Sequence, residues 1–315
     1  MFAQGNDDKE TCLVKLRRSI HFVPGGNDKM LNKALSLPAD SLILDLEDSI
    51  PPERKQAVRK EVCEWLKETD FGKQERLVRI NPLDSEWGRD DLEAVLEHKP
   101  DGIVVPKVLD LKAVHAVDQL IVNQEKVNQE GSTEKDLSGV KLLLIGTELA
   151  AAVFNLPEMV THPRVNGVTW GAEDLSMSLG ARAKRDADGN YLEVFSFVRS
   201  MCLLAAVAAE VQPIDAVYVD IKNLKGLAKE CGTAADMGYT GKITIHPDQI
   251  EIVNNAFTPS AQEIEHASAL IAAFEEQKAA GKMAFSFNGE MVDVPHLRRA
   301  QQILAVAEQF AGQVS

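Results

Sequence analysis

Three carboxylates follow an apolar run early in the chain. Residues 42–49 read LILDLEDS, so Asp45, Glu47 and Asp48 stand at the end of a segment whose other members up to position 46 are aliphatic. Such aliphatic residues favour a buried strand, and an unpaired carboxylate is costly to bury. The spacing therefore predicts a cation, a basic partner or acid–base chemistry at the end of this strand.

The same pattern recurs in other segments rich in Ile, Val and Leu. In an α/β barrel the carboxyl ends of all strands meet at one mouth, where enzymes of this architecture place their chemistry. We therefore expect the polar side chains at these ends to converge. Besides the three carboxylates they are Arg79, Asn81, Lys107, Glu148, Glu173, Asp174, Asp220 and His246.

Glu148 and Asp174 are the candidate metal ligands. Both follow strands of buried type, and two carboxylates with several waters and the oxygens of a ligand form the sparse kind of site that Mg²⁺ uses. Ion pairing of these carboxylates with Lys107 or Arg79 is the open alternative.

Arg79 and Lys107 are the candidate cationic groups of the mouth. Arg79 in the stretch VRINP has the planar two-pronged group that binds a substrate carboxylate. A salt bridge to the DLED carboxylates is its structural alternative. For Lys107, direct substrate contact and a structural ion pair with a neighbouring carboxylate both stay open.

Other polar residues have simpler interpretations. Asp48, Asp110 and Asp220 fit helix caps or turns, and His246 before Pro247 fits a strand-end hydrogen bond with Pro entering a helix. The stretch DADGN at 186–190 lacks the ligand spacing of a calcium loop and its twelfth-position Glu, which predicts a turn.

Eight strand candidates alternate with helical patterns along the first four fifths of the chain. This rhythm, without GxGxxG or GxxxxGK[ST], predicts a (β/α)₈ TIM barrel over residues 1–256. Residues 257–315 form a C-terminal extension with further helices. The strand candidates are 19–25, 41–48, 76–82, 102–108, 141–148, 167–175, 214–220 and 241–247, and the clearest helical segments are 51–68, 111–126 and 192–211.

Composition narrows the class of protein. The chain has 315 residues, 45% of them hydrophobic, and a formal net charge of −14, which argues against nucleic-acid binding. Four scattered cysteines predict free thiols in a reducing compartment. The polar N-terminal stretch MFAQGNDDKETCLVKL and the short apolar run at 201–209 predict no membrane segment and a cytoplasmic protein.

The motifs together resemble the CoA-ester lyases related to the citrate lyase β-subunit and malyl-CoA lyase, in the HpcH/HpaI aldolase–citrate lyase superfamily. The resemblance covers nearly the whole chain, and the order of the motifs is specific to the family. The motifs are RRSIHFVPG (17–25), ADSLILDLEDSIPPERKQAVR (39–59), RINP (79–82), VVPKV (104–108), GTELAAAVFNL (146–156), VTWGAEDLS (168–176), GKITIHPDQI (241–250) and MVDVPHLRRAQQIL (291–304).

The resemblance implies a Mg²⁺-dependent lyase that cleaves a 3-hydroxyacyl-CoA, such as malyl-, citramalyl- or citryl-CoA, into a 2-keto acid and an acyl-CoA, or condenses them. By motif position, the ligands of the metal would be Glu148 and Asp174. Arg79 would hold the keto-acid part. The resemblance further places Glu47 and Asp48 beside the metal, and Asp293, reaching over from a neighbouring subunit, as the acid or base. A homo-oligomer, a trimer or a hexamer, is therefore expected.

Several points stay open at this stage. Leu149 follows Glu148, where the family more often has Thr, so the choice of acyl group is unsettled. Arg18, Lys29 and Lys33, assigned after strand one, are candidates for the CoA phosphates, although exposed lysines often serve only solvation. The alternatives are the β-subunit of a larger citrate lyase complex acting on a carrier-bound thioester, and a CoA-independent aldolase, metal-dependent or using a Schiff base at Lys107.

Overall fold

The computed structural model describes residues 17–130 and 136–311. The predicted polar N-terminal stretch and Cys12 lie outside these residues. Contacts divide the chain into two units, residues 1–253 and residues 254–315. The division predicted at residue 256 falls close to this boundary.

The first unit contains a closed barrel of eight parallel strands, each hydrogen-bonded to its neighbours in sequence order, with β8 closing onto β1. The predicted TIM barrel is therefore confirmed. The strands are β1 Ser19–Pro24, β2 Ser41–Asp45, β3 Glu75–Arg79, β4 Gly102–Val105, β5 Lys141–Ile145, β6 Val165–Thr169, β7 Gln212–Asp215 and β8 Gly241–Thr244.

Helices connect the strands and continue beyond the barrel. No helix among the described residues is long and apolar enough to cross a membrane. The α-helices are α1 Asp28–Leu35, α2 Lys55–Glu68, α3 Gly88–Leu96, α4 Leu111–Glu130, α5 Ala150–Met159, α6 Ala172–Leu179, α7 Glu193–Ala208, α8 Leu224–Met237, α9 Ile250–Ala256, α10 Ala261–Ala279 and α11 Val294–Phe310.

A layer of aliphatic side chains fills the barrel interior below its mouth. Side chains alternate between the two faces of a strand, so the residue two positions after a layer residue also points inward, one level higher. Ile43 is followed in this way by Asp45, and Leu77 by Arg79. The layer therefore seals the floor of the mouth. Its residues are Ile20, Ile43, Leu77, Val104, Leu143, Ile145, Ile214 and Ile243.

Strand seven is shorter than the sequence predicts. The predicted strand runs from 214 to 220, but β7 ends at Asp215 because it pairs with β8 only at Ile214 and Asp215. Asp220 is exposed and lies in a turn in which its carbonyl accepts a hydrogen bond from the N–H of Asn223. Asp220 is therefore a turn residue.

The second unit packs α10 and α11 with a short antiparallel hairpin of β9 (Phe285–Phe287) and β10 (Glu290–Val292). The hairpin turns at Asn288 and Gly289, both with positive φ, as a tight two-residue turn requires. Directly after the hairpin, Asp293 is the N-cap residue of α11.

Candidate active site

A cavity of about 450 Å³ opens at the carboxyl ends of the barrel strands. Its walls combine apolar strand residues with most of the charged groups that the sequence places at strand ends. Among the residues that line it are Phe22, Met30, Asp45, Asp48, Arg79, Glu148, Trp170, Gly171, Glu173 and Asp174.

Arg79 is fixed by Asp45 in a two-pronged ion pair. Nε and Nη2 of Arg79 donate to the two carboxylate oxygens of Asp45 at 2.6 and 2.8 Å. The guanidinium also lies over the ring of Phe22, 4.5 Å from its centroid, a favourable cation–π contact. Burial alone would raise the pKa of Asp45, but the hydrogen bonds and charge of Arg79 hold it below its usual range. Arg79 is thus fixed in orientation, with Nη1 directed toward Glu47 and Asp48.

Glu47 is buried between two cations. Lys107 Nζ lies 2.5 Å from Glu47 Oε1, and Arg79 Nη1 lies 3.0 Å from Oε2. Oε2 nevertheless accepts no hydrogen bond of good geometry within the described parts of the chain. Burial raises the pKa of Glu47, although the charges of Arg79 and Lys107 offset part of the effect. Glu47 therefore keeps a buried acceptor oxygen, Oε2, beside the cations Arg79 and Lys107.

Below Glu47, the buried ammonium of Lys55 supports the β2 strand end. Nζ donates to the carbonyls of Leu46 and Glu47 at 3.0 and 2.8 Å and to Asn81 Oδ1 at 2.6 Å. Asn81 Nδ2 donates in turn to the Leu46 carbonyl and to Asp91. Asn81, a predicted mouth residue, therefore supports the backbone that carries Glu47.

Glu148 is a buried carboxylate beside other negative charges. Its side chain accepts a hydrogen bond from the backbone N–H of Lys107. Burial raises the pKa of Glu148 to about 8; the charges of Glu47 and Asp174 add to this, and Lys107 opposes it. A Cβ on Gly171 would come within 2.6 Å of Glu148 Cγ, so the absence of a side chain there makes room for the carboxylate.

Asp174 comes from the first turn of α6, and the strand end before it is anchored from beneath. The indole N–H of Trp170 donates to Asp215 Oδ1 at 2.8 Å, and Asp215 also pairs with Arg199 and Lys242. Burial alone would raise the pKa of Asp215, but these two cations lower it to about 2. This ion cluster fixes the chain immediately before Gly171 and the α6 carboxylates.

The oxygen donors of the mouth fit a hard divalent cation. Burial disfavours the charged form of Glu148, and the nearby charges of Glu47 and Asp174 disfavour it further, so a cation at this position would be stabilising. No group of three or more His, Cys, Asp or Glu side chains arranged for a metal occurs in residues 17–130 and 136–311. Two carboxylates completed by waters and ligand oxygens suit Mg²⁺ better than metals that need a full protein cage.

The structure places some predicted residues away from the cavity. The prediction that Arg18 follows strand one is wrong, since Arg18 precedes β1 at the amino end of the barrel. It is buried there, and its Nε and Nη2 donate to Asp40 at 2.9 and 2.8 Å. Lys29 and Lys33 are exposed on α1, which follows β1, and Met30 of the same helix lines the cavity.

Caps and turns account for other candidates. Asp110 accepts a hydrogen bond from the Ala113 N–H at 3.0 Å, at the start of α4. His246 Nδ1 caps the short 3₁₀ helix Pro247–Gln249, and Asp186 forms the predicted turn by accepting from the N–H of Asn190 at 2.9 Å. These interpretations are confirmed.

Asp293 lies in the second unit and is partly exposed. Its Oδ1 is 2.6 Å from His296 Nδ1, a pair that the sequence analysis did not single out. The roles of Phe22, Lys55 and Trp170 were also missed. Phe22 could have been found from the alternation of inward residues along its strand, because Ile20 two positions earlier points inward. The role of Trp170 could not, because it depends on a contact with Asp215, 45 positions away in the sequence.

Fold and site together define a TIM-barrel enzyme with an arginine and a carboxylate cluster at its mouth. The chain belongs to the HpcH/HpaI aldolase/citrate lyase family, whose model matches residues 18–247. The predicted family and lyase class are therefore confirmed.

Similar proteins span almost the same length. The chain is 38% identical to a (3S)-malyl-CoA thioesterase of Cereibacter sphaeroides, over 93% of this chain and 95% of that protein. It is 35% identical to the citrate lyase subunit beta of Escherichia coli, over 94% of each. A solved CitE protein of Mycobacterium tuberculosis, in complex with magnesium, acetoacetate and coenzyme A, has a TM-score of 0.76 and 31% identity, over 94% of this chain and 100% of that one.

Proposed function

We propose that this protein is a Mg²⁺-dependent carbon–carbon lyase that cleaves a 3-hydroxyacyl-CoA into a 2-keto acid and an acyl-CoA, or joins the two in reverse. The observation that carries the proposal is the shared cavity, which is lined by Arg79 held by Asp45, by the buried Glu148 and by the partly exposed Asp174. Similarity to a CitE protein solved with magnesium and coenzyme A supports both the cofactor and the class of thioester.

Glu148 and Asp174 would hold the cation. When bound, Mg²⁺ would supply Lewis-acid stabilisation to the oxygen that becomes the keto group. The carboxylates fit this role because they are hard oxygen donors, and a bound cation would offset the burial and the neighbouring carboxylates that disfavour the charged form of Glu148.

Arg79 would bind the carboxylate of the keto-acid part. Two of its nitrogens are already engaged by Asp45, so the guanidinium is oriented before the substrate arrives. Glu47, whose pKa burial raises, would accept the proton of the 3-hydroxyl. The C2–C3 bond then breaks, and its electron pair passes to the thioester as an enolate.

Asp293 would protonate that enolate at its α-carbon, acting from the second unit of a neighbouring subunit. Resemblance to the family supports this assignment and a trimer or hexamer. Large apolar side chains exposed on two helices in mutual contact, Phe154 of α5 and Phe197 and Leu204 of α7, support self-association, since such patches are usually covered. The cytoplasmic location stays a prediction.

CoA needs positive charge on an acidic protein. Lys29 of α1 is our candidate for its phosphates, because it is exposed on the helix that also places Met30 in the cavity wall. Asp48, exposed at the cavity edge, would contact substrate or metal-bound water. Acyl groups that differ by one methyl would differ in binding by only about 1–3 kcal/mol.

Two alternatives have specific support. Similarity to a citrate lyase subunit beta supports action on a carrier-bound thioester within a complex, and similarity to a malyl-CoA thioesterase supports hydrolysis of the thioester bond instead of the carbon–carbon bond. A Schiff base at Lys107 is disfavoured: burial would lower the pKa of its ammonium, but Glu47 and the other carboxylates raise it, so the amine stays protonated.

The deciding experiment gives purified protein a panel of malyl-CoA, methylmalyl-CoA, citramalyl-CoA and citryl-CoA, with and without EDTA, and identifies products by mass spectrometry. Chelator-sensitive release of an acyl-CoA and a 2-keto acid supports the lyase. Release of free CoA and an intact hydroxy acid supports the thioesterase. Inactivity on all four members overturns the free-standing lyase, and restoration by acyl-carrier and transferase subunits would identify the complex.

Sharing of the site between subunits has its own test. Asp293→Asn and Arg79→Ala chains should each be inactive alone, and mixed oligomers should regain part of the activity because some sites then contain both residues. Mixed oligomers that stay inactive, with subunit exchange verified by mass, would refute the shared site.

A further inference from the structure

Lys107 has an unusual backbone conformation at the centre of the carboxylate cluster. Its φ is 49°, in the left-handed region that non-glycine residues rarely occupy. Such conformations carry a cost and persist where the surrounding structure enforces them, often at functional sites. Here the turn directs both polar groups of one residue into the mouth: the N–H donates to Glu148 Oε2 at 2.5 Å, and Nζ contacts Glu47 in the loop after β2.

The ammonium of Lys107 is shared among three carboxylates. Nζ lies 2.5 Å from Glu47 Oε1, 3.2 Å from Asp48 Oδ1 and 3.8 Å from Asp174 Oδ1. Its side chain is 28% exposed, so the charge is only partly screened by water. The ammonium therefore offsets part of the negative charge in the region that also contains both proposed metal ligands.

A divalent cation bound by Glu148 and Asp174 would meet this ammonium at close range. Two cations that share the same carboxylates repel each other, and each reduces the attraction that the other experiences. The Asp174 contact, at 3.8 Å, is the longest of the three, so it is the one that a metal would replace at least cost.

We propose that Lys107 is a positioning residue that competes with the divalent cation: its ammonium bridges the mouth carboxylates and keeps them in place when the metal is absent, and lowers the affinity of the substrate-free protein for Mg²⁺. An anionic substrate adds negative charge to the mouth and relieves this competition, which favours joint binding of metal and substrate. The inference rests on the proposed function, because it requires the metal site at Glu148 and Asp174.

The test measures Mg²⁺ binding without turnover. Full-length protein is stripped with EDTA, desalted and titrated with MgCl₂ by calorimetry at low ionic strength. Lys107→Met removes the charge and keeps the Cβ and the backbone requirement, Lys107→Arg keeps the charge, and Lys67→Met removes a charge from an exposed lysine of α2. Circular dichroism and thermal melting check that each variant is folded.

Competition predicts that Lys107→Met binds Mg²⁺ about tenfold or more tightly than wild type, with Lys107→Arg close to wild type and Lys67→Met unchanged. Weaker or unchanged binding by Lys107→Met would overturn the inference, because a purely structural lysine stabilises the ligands and its loss loosens them.

A second variant keeps the inference testable if Lys107→Met fails to fold. Lys107→Gln removes the same charge but keeps a polar side chain. Tighter Mg²⁺ binding by this variant would support competition, and weaker or unchanged binding would overturn it. Absence of Mg²⁺ binding in wild type and all variants would overturn the metal site of the proposed function, whereas wild-type binding with no gain in the neutral variants would overturn only the role of Lys107.

Discussion

Asp45 and Arg79 are direct register partners on β2 and β3, and their side chains form a two-pronged ion pair above the apolar layer of the barrel. Because both residues point inward at the same level, the pair spans adjacent strands without bending either one. The carboxylate of Asp45 thereby orients the guanidinium, and the third nitrogen of Arg79 faces Glu47.

Asp45→Asn should reduce both stability and activity. The amide cannot neutralise the buried guanidinium, which then turns toward Glu47 and Asp48. We expect a loss of about 3–5 kcal/mol in unfolding free energy and a fall of about 10²-fold in kcat/KM, measured by urea denaturation and steady-state kinetics.

The matched control for this pair is Asp101→Asn. Asp101 pairs with Arg76 at 3.1 Å but is 43% exposed, so its loss should change unfolding free energy by less than about 1 kcal/mol and leave kinetics unchanged. Equal effects of the two substitutions would show that the Asp45–Arg79 pair has no special role in orienting the site.

Mg²⁺ affinity should depend on pH through Glu148. With a folded-state pKa of about 8, Glu148 carries a proton below that pH, and the proton must leave before the carboxylate binds a cation. Affinity should therefore rise by up to about tenfold per pH unit toward pH 8 and then level, with about one proton released per ion. Calorimetry in buffers of different ionisation enthalpy measures both quantities.

The free energy of unfolding of the metal-free protein should depend on pH in the opposite direction: it falls as pH rises. A carboxyl whose pKa is raised above its ordinary value of 4.5 favours the folded state when protonated, so its contribution is intact below that pH and is lost as pH rises toward 8. In EDTA at pH 8, Glu148→Gln should unfold at higher urea than wild type, and the gain should vanish near pH 5. Glu158→Gln, on the exposed end of α5, serves as control; a pH-independent difference would contradict the assignment.

Local patterns predicted the barrel because each strand and helix shows its own periodicity. They also placed Arg79, Glu148 and Asp174 at one mouth, since parallel strands end on one face. Contacts between residues far apart in the sequence could not be predicted in this way. The hydrogen bonds of Lys55 to the Glu47 carbonyl and of Trp170 to Asp215 depend on how the helices and strands pack. The left-handed turn at Lys107 was equally hidden, because Lys has no local preference for positive φ. Arg18 was misplaced: it directly precedes the strand predicted at 19–25, so it lies at the end of the barrel opposite the mouth.

Lys55→Met should weaken the support beneath Glu47. The change leaves the Glu47 carbonyl without its Nζ donor, while the Leu46 carbonyl keeps the hydrogen bond from Asn81. We expect a loss of about 1–3 kcal/mol in unfolding free energy and reduced kcat as the Glu47 side chain shifts. Lys60→Met, on the exposed face of the same helix, should change stability by less than about 0.5 kcal/mol. Unchanged kcat in Lys55→Met would show that Glu47 does not need this support.

Trp170→Phe tests whether the Trp170–Asp215 hydrogen bond holds the metal-ligand segment in place or only stabilises the fold. Trp65→Phe is the matched control. Trp170 donates to Asp215 at 2.8 Å beneath the metal-ligand turn, and Trp65 donates to Asp28 at the same distance between α2 and α1. Both Trp→Phe changes remove one indole hydrogen bond to an aspartate, so each should cost about 1–3 kcal/mol in thermal or urea unfolding. Only Trp170→Phe should also weaken Mg²⁺ binding in calorimetry, since it loosens the segment that carries Gly171 and Asp174. Equal Mg²⁺ affinity in the two variants would mean that the carboxylates are held by their own strands and helix without the Asp215 cluster.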